Sequence, residues 1–128
     1  MSDWNIGVIK NIEIAMKNCK EGYEGLIKYE ALKRQQPLRS LEKEYNTLLG
    51  ALQLINHANT ILTNLYCGYS LGVLEYSHGV LINDFVLPFR QFYSALSKAL
   101  MNNSDFVEVS RYYSKLEEVY KQYSDDLS

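Results

Sequence analysis

The sequence predicts an all-α fold, an elongated antiparallel four-helix bundle built from two helical hairpins, as a single domain over residues 1–128. Three observations carry this expectation. Apolar residues recur at alternating spacings of three and four along nearly the whole chain, the period of one helical face. No segment shows four clean two-residue alternations bounded by turn residues, the mark of a half-buried strand. An apolar fraction of 47% with only 2 Pro and 7 Gly is that of a globular chain, not of a collagen-like, linker-like or disordered one.

In the first helix, Ile9, Ile12, Met16, Cys19, Tyr23 and Leu26 follow one another at the three-four spacing. Asp3 is a candidate N-cap, and Pro37 disfavours helical geometry in Gln36 before it, so the helix should run from about Trp4 to about Lys33. The second run is longer, with Leu38, Leu41, Tyr45, Leu48, Leu52, Ile55, Asn59, Leu62, Tyr66 and Tyr69 keeping the same spacing. A second row, Leu54, Ala58, Ile61, Leu65, Gly68 and Gly72, lies on the same helix, and no Asp, Glu, Lys or Arg occurs between Glu44 and Glu75. Two faces that both favour burial make this the most enclosed predicted element. Asn59 interrupts its row as single buried asparagines do in coiled coils.

Gly68 and Gly72, each costing about 1 kcal/mol relative to alanine inside a helix, predict a turn or sharp bend. A third helix then runs to about Met101, with a kink or a restart expected near Leu87 because Pro88 removes a backbone hydrogen bond. Asn102-Asn103-Ser104 reads as a loop. Asp105 with Glu108 predicts a capping box, after which Phe106, Val109, Tyr113, Leu116, Tyr120, Tyr123 and Leu127 define the seam of a fourth helix. Short connections make neighbouring helices antiparallel. Turns centred on Gln36 and Asn103 then predict that facing residue numbers sum to about 72 in the first hairpin and about 206 in the second. A first helix of about 29 residues is ~43 Å long, more than the ~36 Å diameter of a compact globule of this size, so the bundle is expected to be a rod.

Charge and cysteine content narrow the functional classes. The formal charge is 13 − 15 = −2, which argues against a dedicated polyanion binder. Cys19 and Cys67 are too few for a disulfide-stapled secreted scaffold, and Met1-Ser2-Asp3-Trp4 does not open a signal peptide, so a cytoplasmic location is expected. In the predicted register the two cysteines lie ~21 Å apart and should not pair. Polar residues interrupt every window, so no transmembrane helix is expected.

Motifs that carry chemistry are sparse. Glu75-x-x-His78 places a carboxylate and an imidazole on one helical face as di-iron bundles do, but such sites need a second Glu-x-x-His and two more inward glutamates, and the chain has no second copy. His57 should face Ile14 and Ala15, about one turn from Cys19, a poor alignment for a nucleophile and its base. Gly68, Gly72 and Gly79 match no phosphate-binding loop. No catalytic residue, metal site or cofactor is therefore expected. Lys28, Lys33, Arg34, Arg39 and Lys43, set against Glu30 and Glu42, form a basic tip around Pro37 where Arg34 and Arg39 could meet phosphates and Tyr29 and Tyr45 could stack on bases. Eleven tyrosines, three of them on the last seam, suit both core packing and a protein interface. Over nine residues, Asp84-Phe85-Val86-Leu87-Pro88-Phe89-Arg90-Gln91-Phe92 resembles the proline-kinked helix of membrane-curving BAR domains; no function is carried over from it.

The expected function is that of a non-enzymatic helical interaction and oligomerisation module that presents a helical face to a protein partner. It is expected to form a homodimer through Leu54, Ala58, Ile61, Leu65 and Gly68, because a rod of this length cannot cover both faces of its second helix. The alternative is a small nucleic-acid-contacting subunit of a ribonucleoprotein, viral or mobile-element complex, using the Lys28–Lys43 tip.

Overall fold

The structure is a computed structural model that describes residues 3–35, 37, 39–74 and 76–127, with side chains described within residues 7–124 except 76 and 77. Gln36, Leu38 and Glu75, and the side chains of Asp3, Trp4 and Leu127, lie outside the described residues.

Four helices follow in order: α1 (Asp3–Lys33), α2 (Leu41–Ser70), α3 (Tyr76–Met101) and α4 (Val107–Leu127). Each helix packs against its hairpin partner, α1 on α2 and α3 on α4, and α2 against α3 joins the two hairpins. With 31 and 30 residues, α1 and α2 are each ~45 Å long at 1.5 Å per residue.

The helix ends follow from local chemistry. α2 starts at Leu41, because Ser40 is extended and its Oγ accepts the Lys43 backbone N–H at 3.3 Å. It ends in a Schellman turn: Val73 N–H reaches the Gly68 carbonyl, Gly72 N–H reaches that of Tyr69, and Gly72 has φ +77°. The expected turn therefore falls at Leu71–Gly72. The end of α3 repeats the motif with asparagine in the left-handed position, Asn103 having φ 50° while Ser104 N–H bonds the Ala99 carbonyl at 2.9 Å. α3 does not restart near Leu87; the helix is continuous through Pro88, and Phe85, Phe89 and Phe92 on either side of it are fully buried.

The capping box does not form. Asp105 Oδ1 accepts the Val107 N–H at 3.3 Å, while Glu108 pairs with Arg111 at 2.8 Å instead of reaching back to Asp105. The N–H of Phe106, at the cap position, is taken by Glu30 Oε1 on α1 at 3.2 Å. A carboxylate from another helix has replaced the local one, which sequence spacing does not reveal.

Register in the second hairpin matches expectation, since Phe85 meets Tyr120 (sum 205) and Asp84 meets Tyr123 (sum 207). The first hairpin is shifted: Asn18 bonds His57 (sum 75) and Gly25 lies against Ala51 (sum 76). The reason is the late start of α2, for the turn between Lys33 and Leu41 centres on residue 37.

Candidate interaction surface

Among the 30 uncharged positions from Tyr45 to Leu74, burial accounts for few. Only Ala51, Ile55, Ala58 and Leu62 are buried, whereas fifteen positions are exposed. The buried four share one side of α2 at the three-four spacing, which leaves Leu49, Gln53, Asn56, Thr60, Thr63, Asn64 and Cys67 on the opposite side, all exposed. α1 shows how a solvated helix here is normally built: Lys10, Glu13, Lys17, Lys20, Glu21, Glu24 and Lys28 line its exposed positions. The missing charge on α2 is thus a property of its surface. It is legible in the sequence as a gap in the charge record, but pattern alone assigns it to enclosure and misses the exposed amide and hydroxyl residues.

The α2 face is framed by hydrogen bonds to both neighbours. Asn18 of α1 and His57 Nδ1 are 2.8 Å apart, and the Tyr93 hydroxyl of α3 donates to Asn56 Oδ1 at 3.0 Å. Between α2 and α3, Leu52, Ile55, Tyr93, Leu96 and Leu100 line a shallow groove of about 190 Å³. Leu41, Tyr45 and Leu49 continue an exposed apolar stripe at a spacing of four along α2.

The row expected to form the dimer contact is turned inward instead. Ala58 is 0% exposed, in the core, and Ile61 and Leu65 are partly buried against that core. Gly68 lies under the Leu74 side chain, and Leu54 is half-buried. This row shares the inner flank of α2 with Ala51 and Ile55, whose atoms lie within 3.0 Å of where a Cβ on Gly22 would sit. The glycines Gly22 and Gly25 of α1 let the two backbones approach, so the small residues serve packing within the chain. Asn59 is half-buried.

At the basic tip the cations are largely engaged. Arg34 pairs with Glu30 at 3.6 Å, and Arg39 Nε donates to the buried Glu44 carboxylate at 2.8 Å, which holds the Arg39 pKa above its ordinary value. Lys33 Nζ bonds Asn103 Oδ1 at 3.3 Å and lies 5.2 Å from the centre of the Tyr29 ring. Lys28 and Lys43 are exposed. Three of the five cations of the tip, including both arginines expected to meet phosphates, thus tie the α1–α2 turn to itself or to the α3–α4 turn.

The other candidates are dispersed. Cys19 is 1% exposed, and burial pushes its thiol pKa up to about 12, the reverse of an activated nucleophile. His57, shifted by the register, faces Asn18. His78 is buried, and its expected companion Glu75 lies outside the described residues. Cys19 and Cys67 are both free thiols. Among the described residues no three His, Cys, Asp or Glu side chains gather as a metal site, and no helix is long and apolar enough to cross a membrane. A cleft of about 570 Å³ between α3 and α4 is lined by residues that include Arg90, Lys98, Asp105 and Glu108 and by neither cysteine nor histidine.

No protein-family model, curated protein or solved structure matches the chain.

Proposed function

We propose that the protein is a non-enzymatic helical interaction module of the cytoplasm that docks a protein partner on the outer face of α2. The observation that carries this reading is the run of exposed, uncharged positions from Tyr45 to Val73 on a molecule whose other long helix is charged at nearly every exposed turn. Depletion of charged residues is a compositional mark of interface cores, since an unpaired charge there must be desolvated without compensation. Leu41, Tyr45 and Leu49 supply apolar contact area at one end, and the α2–α3 groove supplies relief. Two free thiols suit a reducing compartment.

Site-specific photo-crosslinking tests the reading. A crosslinking residue placed at Thr63 on this face should give adducts of discrete mass in cells. The same residue at Lys20 or Glu118, on charged faces, should give none. Equal adduct yields from all three positions, or none from Thr63, would remove the proposal.

A further inference from the structure

We infer that the occupant of the α2 face is a second copy of this chain, related by a two-fold axis running through the face near its middle, between Gln53 and Asn64. The inference rests on the docking reading above and names its partner. In a two-fold contact every residue near the axis meets its own counterpart, so any charge there is opposed by the same charge. A face that carries no charge at its middle, where the axis would pass, suits self-pairing, whereas a different partner is usually selected and steered by complementary charge. The polar groups on the face are self-complementary. With the axis between them, Gln53 of one copy faces Asn64 of the other, and each carboxamide carries both a donor and an acceptor, so the two can pair in either sense, which two carboxylates or two ammoniums cannot do.

Size sets the strength. A face ~45 Å long and ~11 Å wide presents on the order of 500 Å² per chain, hence ~1,000 Å² across two copies, which just reaches the lower bound for a specific interface. The association is therefore reversible and depends on concentration in the working range.

Sedimentation equilibrium of the full chain should show a mass rising with concentration from 14.8 kDa toward 2 × 14.8 = 29.6 kDa. The double variant Gln53→Lys/Thr60→Lys, which sets like charges against one another across the axis, should remain at 14.8 kDa throughout while its far-UV circular dichroism is unchanged. Should that variant lose helicity, Thr60→Lys alone, at the exposed position next to the axis, carries the same expectation. A parent that stays monomeric at every concentration overturns the inference, and so does a dimer that survives the substitutions. The first outcome leaves the docking reading standing if Thr63 still crosslinks to a partner of another mass; loss of Thr63 adducts altogether removes both.

Discussion

The ring of Tyr23 on α1 lies flat on the ring of Tyr113 on α4, with centroids 3.9 Å apart and planes within 4°. Phe92 of α3 meets both rings edge-on, at 6.4 and 5.8 Å, and the Tyr23 hydroxyl donates to Ser110 Oγ at 2.8 Å. The backbones of α1 and α4 rarely come close, so this aromatic triplet links the two helices through side chains, beside the α2–α3 contact that joins the hairpins. Tyrosine suits the position because its ring fills the joint while its hydroxyl reaches a polar partner at the rim.

Truncation should separate the two contributions. Tyr23→Phe loses the hydrogen bond alone and should cost about 1 kcal/mol. Tyr23→Ala also loses the stacked and edge-on contacts, for a total of roughly 3 kcal/mol. Urea unfolding of both variants measures this, and equal losses would show that the rings contribute nothing beyond the hydroxyl.

Glycine-to-alanine substitutions should change sign with position. A Cβ on Gly25 would stand 2.9 Å from the Ala51 Cβ, while one on Gly50 meets nothing within 4 Å. Both residues lie inside helices, where alanine is favoured by about 1 kcal/mol. Gly50→Ala should therefore raise the unfolding midpoint. Gly25→Ala should lower it, because the atoms it meets belong to a short side chain on an already close helix and cannot swing away. Stabilisation by both substitutions would contradict the close packing of α1 on α2.

The helices were legible because each buries one stripe, and a stripe leaves a three-four period in the sequence. The Phe106, Val109, Tyr113 and Leu116 seam of α4 is buried at all four positions. Turns were legible where a residue tolerates positive φ, as Gly72 and Asn103 do. What spacing could not supply were choices made between helices. Glu30 takes the Phe106 N–H that a local capping box would leave to solvent or to Asp105, and the shifted first-hairpin register places His57 opposite Asn18. The α2 face was misassigned for a related reason. Absence of charge signals either burial or an interface, and only the placement of Ala51, Ile55, Ala58 and Leu62 on one side distinguishes the two.

Alkaline pH should weaken the fold. Burial raises the Cys19 thiol from an ordinary value near 9 to about 12, and burial likewise raises the Tyr113 phenol, with the nearby Cys19 adding to the effect. Both groups are neutral when protonated, so above pH 9 the folded chain holds protons that the unfolded chain releases. Their contribution is complete below the unfolded values and is lost as pH climbs toward the folded ones. Stability measured by urea unfolding should fall between about pH 9 and about 12, and Cys19→Ala should flatten that slope. A slope unchanged in the variant would show that the thiol takes no part. At neutral pH, a thiol reagent should label one cysteine per folded chain, the exposed Cys67, and both after denaturation.

Ala58 and Thr60 stand two residues apart on α2 and face opposite environments. Ala58 is enclosed by the core, so Ala58→Glu must either bury an unpaired carboxylate or open the α1–α2 contact; either costs upward of ~4 kcal/mol, a large share of the ~5–15 kcal/mol that holds a domain together. Thr60 points to solvent, and Thr60→Glu should leave monomer stability within ~0.5 kcal/mol. Far-UV circular dichroism with thermal melting should therefore find Ala58→Glu largely unfolded at room temperature and Thr60→Glu folded with native helicity. An Ala58→Glu protein that keeps both its helicity and its melting point would place that side chain outside the core. The row from Leu54 to Gly68 would then be restored as an outer surface of α2, and the uncharged face would lose its claim to be the side that meets a partner.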